Sequence, residues 1–391
     1  MTKLFVREGR KIKVSPRIYA WAIGVGLVLF SVHTKYLTYT NADGITSMFL
    51  PWVGFAIILL ALMFLFSKKD FKWHFGSRYV WIPMLVIVGS VIISELLNHS
   101  IMIALASILF VVTLFALYGA SRTLGKDVFV AFIPAVILEA ISCIVLGIVY
   151  PGVRNGGFIT HSGNFDIATG LLIFGIVVSV FRGQWWLTAI ALVGLFFTGA
   201  EEAVFCMVVL TVALLIRRDW SKRLLVPVIS LLLVLAVCTP LGITHKLYNR
   251  TPGMVSATSR AIVTAPSEMM TVEWNETVRI GLGDRADDYY WVIKNFRFFG
   301  HGYNINKFYE GIPHNVPLII LNQLGILAML AWLWIMGYCL VRTKWKYAVV
   351  GILALGTFDH FMWTQVAPWW WALAGVATAS DIKSDLIFKE V

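Results

Sequence analysis

Charged residues are scarce in this chain. Only 14% of its 391 residues are Asp, Glu, Lys or Arg, whereas 59% are hydrophobic and the mean hydropathy is +0.80. A soluble globular protein carries about 25% charged residues. The deficit excludes a soluble enzyme, a disordered tail and a fibrous protein. The net charge of +11 therefore points to membrane orientation before nucleic-acid binding.

Cysteines and the common nucleotide and metal motifs are also scarce. The sequence has no Walker loop, no GxGxxG before a helix and no HExxH, and it has no internal repeat. The cysteines lie inside apolar runs without metal-ligand spacing, which predicts buried thiols: Cys143, Cys206, Cys238 and Cys339. We therefore expect no metal site and no cofactor. The first apolar run ends without a small-residue cleavage site, which predicts a retained anchor helix.

Long apolar runs are what the chain has in abundance. A membrane-spanning helix needs about 20 mostly apolar residues. About twelve such runs lie near residues 18–34, 45–67, 79–97, 100–118, 127–150, 164–182, 184–199, 201–216, 223–241, 315–341, 345–361 and 366–380. The sequence therefore predicts an all-α polytopic membrane protein with about twelve transmembrane helices, in which residues 1–391 form one membrane domain.

Positive charge is distributed unevenly among the segments that join these runs. If the N-terminus is cytoplasmic, the short outside loops hold only Lys35 and Arg154. The inside segments then hold Lys3, Arg7, Arg10, Lys11, Lys13, Arg17, Lys68, Lys69, Lys72, Arg78, Arg122, Lys126, Arg182, Arg217, Arg218, Lys222, Arg223, Arg342, Lys344, Lys346, Lys383 and Lys389. This asymmetry obeys the positive-inside rule and predicts both termini on the cytoplasmic side.

One outside segment is much longer than the others. Residues 242–312 lie between the ninth and tenth predicted helices and form a large, structured extracytoplasmic loop. Early acids, late bases and a following glycine predict a helix over Arg285–Arg297. One interpretation places Arg279, Arg285 and Arg297 on a surface helix of mixed charge. The alternative is that Arg285 directs its positive charge to a substrate phosphate.

A second group of polar residues follows the fifth predicted helix. Arg154 stands in a short outside loop, where arginine is usually avoided, and His161 follows it. A guanidinium can hold a phosphate through two hydrogen bonds, so Arg154 is a candidate anion clamp. The alternative is a glycine-rich turn in which Asn164 or Asp166 caps the next helix.

Three carboxylates lie between or within apolar helices. Glu201 and Glu202 stand at the tip of the predicted hairpin 184–216, where they could pair with an arginine, bind a cation or cap a helix. Glu139 lies near the middle of its predicted helix, and an ionisable residue there is a functional hypothesis. A proton relay would fit a transporter, whereas a buried pair inside the bundle would fit either class.

Two histidines of the outer side lie where the large loop ends. His301 lies in a Gly-His-Gly-Tyr segment, and His314 precedes Asn315 at the start of a predicted helix. An imidazole with a pKa near 6.5 can act as a general base at neutral pH, although His314-Asn315 could simply cap the helix. The pair Asp359-His360 could orient that imidazole or hold a partner base.

In their order along the chain, these residues resemble the O-antigen ligase/polymerase family of bacterial membrane glycosyltransferases. The resemblance spans about residues 150–380. Its late part comprises Arg285, Trp291, Phe299-Gly300-His301-Gly302, His314-Asn315 and Gln323-Leu324-Gly325-Ile326. The earlier outside loop is similar through Arg154, Gly157, Phe158 and Asn164, and the C-terminal hairpin is similar through Asp359-His360 and Trp363 to Trp371 and Gly375.

The resemblance implies an inverting glycan transfer at the outer face of the bacterial inner (plasma) membrane. A polyprenyl-pyrophosphate-linked glycan would be the donor, and lipid A-core or a growing glycan would be the acceptor, without nucleic acid, nucleotide sugar or metal. His314 would accept or orient the acceptor hydroxyl proton, and Arg154 and Arg285 would hold the pyrophosphate. Further candidates for substrate contact are Asn164, Arg279, Asn315, Asp359 and His360. Unassigned candidates are Glu139, His161, Glu201, Glu202 and His301.

The chain departs from the family pattern at two places. Glu201-Glu202 stands near the position where the family often has Ser-Arg, and Gln323 stands where Glu is common. A polymerase of the same family differs from a ligase only in its acceptor, which the sequence does not identify. A proton-coupled transporter or flippase, and a membrane scaffold, are the alternatives from other classes.

Overall fold

The part of the chain that the structure describes is a bundle of apolar α-helices. In this computed structural model the described residues are 15–32, 38–40, 46–69, 71–76, 78–98, 101–150, 156–160, 165–200, 203, 206, 208–209, 222–241, 243, 292–302, 315–343, 356, 363 and 366–379. One small hairpin accompanies the described helices, with strand β1 (Thr38–Thr40) antiparallel to β2 (Thr46–Met48).

The helices follow the apolar runs of the sequence closely. They are α1 (Pro16–Phe30), α2 (Phe49–Ser67), α3 (Arg78–Asn98), α4 (Ile101–Leu124), α5 (Phe132–Val149), α6 (Phe165–Arg182), α7 (Trp185–Phe197), α8 (Lys222–Cys238), α9 (Val316–Leu324), α10 (Ile326–Arg342) and α11 (Ala367–Thr378), with a 3-10 turn at Gly125–Phe129. The predicted runs 201–216 and 345–361 lie largely outside the described residues.

Four of the described helical stretches are long and apolar enough to cross a membrane. They are Leu50–Ser67, Arg78–Asn98, Ile101–Phe129 and Phe132–Val149, and several shorter apolar helices accompany them. Large apolar side chains are exposed along these helices, as expected where lipid rather than water is the solvent. The chain is therefore an all-α membrane protein.

Helix α11 lies at the centre of the described bundle, and all of its residues are buried. The indole Nε1 of Trp369 donates a hydrogen bond to the Leu27 carbonyl of α1 at 2.7 Å. The Trp369 ring meets Phe132 of α5 edge-on, and Trp371 meets Phe115 of α4 in the same way, both with centroids 4.9 Å apart. A helix that is apolar all round is buried on every side, and α11 thereby joins α1, α4 and α5.

Arg122 fastens the C-terminal end of α11. Its Nη1 donates to the carbonyl and the hydroxyl of Thr378, both at 2.7 Å, and its guanidinium lies 5.9 Å from the centroid of the Tyr118 ring. A cation at a helix C-terminus satisfies carbonyls that lack an intrahelical partner. The sequence placed Arg122 in a cytoplasmic segment, whereas α4 continues to Leu124 and buries it.

The long helix predicted near 315–341 is interrupted, so that prediction was wrong. Gly325 has φ 84° and ψ −177° and separates α9 from α10. A positive φ strains any residue with a Cβ, and a Cβ at Gly325 would also collide with the Phe298 carbonyl. The break arises because the segment before Gly302 packs against the end of α9.

The helix predicted over Arg285–Arg297 ends earlier than the sequence indicates. Within the described part of that segment, residues 292–294 are helical and the chain turns at Asn295. Val292 is buried, whereas Ile293 and Phe296 are exposed. The chain leaves the helix because residues 297–302 are held at the end of α3 and at the α9–α10 break.

We expect Arg122→Ala to lower the free energy of unfolding by about 1–3 kcal/mol, because it removes the guanidinium that donates to the buried Thr378 carbonyl at the end of α11. Thermal unfolding of the purified protein in detergent measures this. The control is Arg17→Ala, which removes an exposed pair with Asp127 at 3.8 Å and is expected to change stability by less than about 1 kcal/mol. Equal losses in the two variants would contradict the role given to Arg122.

Candidate functional site

Three of the thirteen candidate catalytic, substrate-binding and unassigned site residues belong to the described part of the chain. They are Glu139, His301 and Asn315. The other candidates lie outside the described residues: Arg154, His161, Asn164, Glu201, Glu202, Arg279, Arg285, His314, Asp359 and His360. The described part of the site therefore consists of the elements that directly precede or follow these positions.

The carboxylate of Glu139 holds the turn at residues 156–160. Its Oε1 accepts a hydrogen bond from the Gly157 amide at 2.9 Å, and its Oε2 accepts from the Ile159 amide at 2.8 Å. Oε1 also accepts from the hydroxyl of Thr160. Both oxygens of this fully buried side chain are thus engaged by one short segment. The sequence hypotheses of a proton relay or an interhelical pair did not include this partner.

The turn at 156–160 returns into the helix bundle after α5 has ended. Glu139 lies ten residues before Val149, which corresponds to about 15 Å along the helix axis. Ser142, one turn nearer to that end, accepts a hydrogen bond from the Phe158 amide at 2.8 Å. Non-helical backbone at such a depth needs partners from the protein, because lipid offers none. Glu139 and Ser142 supply them.

Gly157 is required by the close approach of this turn to α5. A Cβ at position 157 would lie 2.5 Å from the carboxyl carbon of Glu139 and 2.5 Å from the Ser142 hydroxyl oxygen. No side chain fits at these distances without moving the carboxylate or the turn. Within the glycine-rich turn that the sequence offered as an alternative, Gly157 is therefore required by packing against α5.

A second cluster joins the Gly-His-Gly segment to the broken helix. The amide of His301 donates to the Asn322 carbonyl at 2.8 Å, and the amide of Gly302 donates to the Gln323 carbonyl at 3.0 Å. The Ser94 hydroxyl oxygen accepts from the Gly302 amide at 2.9 Å and lies 2.6 Å from the Gln323 carbonyl, to which it donates. These bonds satisfy carbonyls at the C-terminal end of α9.

The same segment is fixed to the end of α3. Arg297 donates from Nη1 to the side-chain oxygen of Asn98 at 3.1 Å, and the Asn98 amide group donates to the Gly300 carbonyl at 3.3 Å. On its other side, the Ile326 amide at the start of α10 donates to the Phe298 carbonyl at 3.2 Å. The segment therefore bridges α3, α9 and α10.

Gln323 extends this network to a distant part of the sequence. Its side-chain oxygen accepts a hydrogen bond from the indole Nε1 of Trp363 at 3.0 Å, and both groups are buried. A neutral amide suits this position because the indole supplies only one donor. Gln323, which stands where the resembled family commonly has Glu, thus has a hydrogen-bond partner in this chain.

His301 is engaged by its own loop. Its ring Nε2 lies 2.8 Å from the Asn295 carbonyl, to which it donates as a protonated ring nitrogen. Burial lowers the pKa of this imidazole below its usual value; the hydrogen bond to Asn295 opposes this shift, and the positive charge of Arg297 adds to it. The histidine is therefore neutral near pH 7 and stabilises the turn after residue 294.

Asn315 caps the N-terminus of α9. Its side-chain oxygen accepts a hydrogen bond from the Leu318 amide at 3.1 Å. The capping alternative offered by the sequence thus describes Asn315. Because α9 has nine residues, about 13 Å separate this cap from the Gly-His-Gly contact at the other end of the helix.

The sequence analysis missed three polar residues of α3. Ser94 and Asn98 hold the Gly-His-Gly segment, and the Glu95 carboxylate between them is fully buried. Glu95 lies inside a predicted span, so the rule that singled out Glu139 would also have found it. Among the described residues, no group of three or more His, Cys, Asp or Glu could hold a metal ion.

We expect Gly157→Ala to displace the buried turn and to destabilise the protein by about 1–3 kcal/mol, as overpacking does. Hydrogen exchange of the 156–160 amides measures the displacement, and thermal unfolding measures the stability. The control is Gly89→Ala in α3, where an added Cβ meets nothing within 4 Å. If the 156–160 amides of Gly157→Ala exchanged as slowly as those of the wild-type protein, Glu139 would not hold the turn tightly.

The depressed pKa of His301 predicts a pH dependence. The unfolded segment binds the His301 proton at a higher pH than the folded one, so its stability is complete above about pH 6.5 and falls as the pH drops below that value. We expect exchange of the 298–302 amides, corrected for intrinsic rates, to accelerate on acidification. His301→Gln should lack this response, and an identical pH dependence in both proteins would refute it.

No family model matches this chain, and no curated protein matches it.

Proposed function

We propose that the chain is a membrane glycosyltransferase of the O-antigen ligase type. It transfers a glycan from polyprenyl pyrophosphate to an acceptor sugar hydroxyl, that of lipid A-core, at the outer face of the bacterial inner membrane. The proposal includes twelve transmembrane helices with both termini in the cytoplasm and the large loop 242–312 on the outer side. A polymerase of the same family is the second candidate.

The observation that carries the proposal is the contact between two motifs of the resemblance. Gly300-His301-Gly302 and Gln323-Leu324-Gly325 are separated in sequence, yet the Gly302 amide donates to the Gln323 carbonyl, and the His301 amide donates to the residue directly before it. Ser94 completes the contact from α3. Motifs that depend on one another structurally are expected to occur together in a family, which supports the resemblance on physical grounds.

The N-terminus of the short helix α9 is suited to bind an anionic substrate. Asn315 caps its N-terminus, and the amides of residues 301 and 302 donate hydrogen bonds to carbonyls at its C-terminus. The N-terminus of a helix carries a partial positive charge that favours a phosphate. His314 directly precedes this cap in the sequence. The proposed base and the positive end of α9 are therefore adjacent along the chain.

The proposed reaction needs one base and two cations. His314 accepts the proton of the acceptor hydroxyl, whose oxygen attacks the anomeric carbon of the donor sugar. The bond from that carbon to the pyrophosphate breaks on the opposite face, so the configuration inverts. Arg154 and Arg285 stabilise the negative charge that develops on the leaving pyrophosphate. The proton stays on His314 until the product leaves.

Replacement of His314 tests the proposal directly. In a deletion strain complemented with His314→Ala, we expect loss of glycan attached to lipid A-core, because the acceptor hydroxyl lacks its base. A gel of the surface glycans measures this. A ligase defect leaves the polymer unattached to lipid A, whereas a polymerase defect leaves single repeat units.

The matched control is His33→Ala, since His33 is another histidine predicted near the outer face and lies in none of the motifs. It should retain wild-type glycan. An unchanged glycan in His314→Ala, together with loss of proton-coupled uptake in Glu139→Gln, would instead establish the transporter. Wild-type surface glycan in both His314→Ala and Arg285→Ala would favour a membrane scaffold.

A further inference from the structure

Four large apolar side chains are exposed together on the segment that leads into the Gly-His-Gly turn. Ile293 is 66% exposed, Phe296 46%, Phe298 51% and Phe299 40%. The rings of Phe298 and Phe299 pack edge to face, with centroids 5.0 Å apart and an interplanar angle of 83°. This group, Ile293, Phe296, Phe298 and Phe299, forms an aromatic patch outside the helix bundle.

The position of the aromatic patch relative to the membrane is fixed by hydrogen bonds. Arg297, within the patch segment, donates to Asn98 at the last residue of α3, and Asn98 donates to the Gly300 carbonyl. Helix α4 begins at Ile101, so the end of α3 and the beginning of α4 are where these two candidate membrane spans leave the hydrocarbon region. The patch therefore lies at the boundary of one leaflet.

The surface beside the patch is apolar as well. At the end of α3 and the beginning of α4, Leu96, Leu97, Ile101 and Met102 are all exposed. These side chains belong to stretches long enough to span the bilayer, so lipid is what surrounds them. The aromatic patch lies at the level of this lipid-facing surface, which identifies lipid as its occupant too.

We propose that residues 293–299 form an interfacial membrane anchor, in which the aromatic patch enters the boundary between headgroups and acyl chains on the side where α3 ends and α4 begins. Aromatic side chains favour this boundary, because a ring finds apolar surroundings while nearby polar groups stay hydrated. The polar residues that alternate with the patch are Lys294, Asn295 and Arg297, and they provide the polar groups beside the rings. The proposal holds for either orientation of the protein and does not depend on the chemistry proposed above.

Such an anchor acts on the end of the large loop. The chain continues from the patch into Gly300–Gly302, which bridges α3, α9 and α10. Insertion of the patch into the leaflet would hold this bridge at a constant depth.

Spin labels at the patch test the anchor in the full-length protein in liposomes. Phe296→Cys and Phe298→Cys place labels on the patch, and Lys294→Cys places a matched label on an exposed polar position of the same segment. The native cysteines Cys143, Cys206 and Cys238 are buried, as is Cys339, and labelled wild-type protein gives the background. Power saturation then compares collisions with oxygen, which concentrates in lipid, and with a water-soluble nickel chelate.

We expect a several-fold higher ratio of oxygen to nickel collisions at positions 296 and 298 than at 294. Equal nickel access at the three positions would overturn the anchor, because the patch would then face water. Low access of both reagents would also overturn it, by showing that protein or a second copy covers the patch. If Phe298→Cys does not fold, Ile293→Cys and Phe296→Cys make the same comparison.

Discussion

A backbone that leaves the helical conformation inside a membrane must find hydrogen-bond partners within the protein, because the lipid offers none. The described chain leaves the helix at two such places, the turn at 156–160 and the break at Gly325. Each is held by a side-chain oxygen from a neighbouring span, namely the Glu139 carboxylate and the Ser94 hydroxyl. Without the Glu139 carboxylate, the buried amides of Gly157 and Ile159 would be left unpaired at a cost of about 1–3 kcal/mol each.

Both places lie next to the residues on which the proposed function depends. The turn held by Glu139 follows Arg154 in the sequence, and the helix broken at Gly325 begins just after His314. Polar residues within the spans thus support the segments that would carry the chemistry, rather than taking part in it themselves. This division is common in enzymes, where loops bear the reactive groups and a rigid scaffold positions them.

The sequence predicted the helices well where hydrophobicity alone decides. The runs near 79–97 and 164–182 became α3 (Arg78–Asn98) and α6 (Phe165–Arg182), because the length of an apolar run is a local property. The break at Gly325 could not be found in this way, since a glycine inside an apolar pattern is also tolerated in a continuous helix. The choice between the two was made by residues 298–302, which are distant in sequence.

The sequence by itself determined the solvent of this protein: the apolar runs require lipid, and the scarcity of charge excludes a water-soluble fold. It also identified Glu139 as unusual, because a carboxylate within an apolar span is costly unless it has a partner. Only the tertiary structure decided what Glu139 and Ser94 bind and that residues 293–299 expose their aromatic side chains. The physical reason is that hydropathy belongs to each residue, whereas a hydrogen-bond partner or a covered surface depends on what the fold brings beside it.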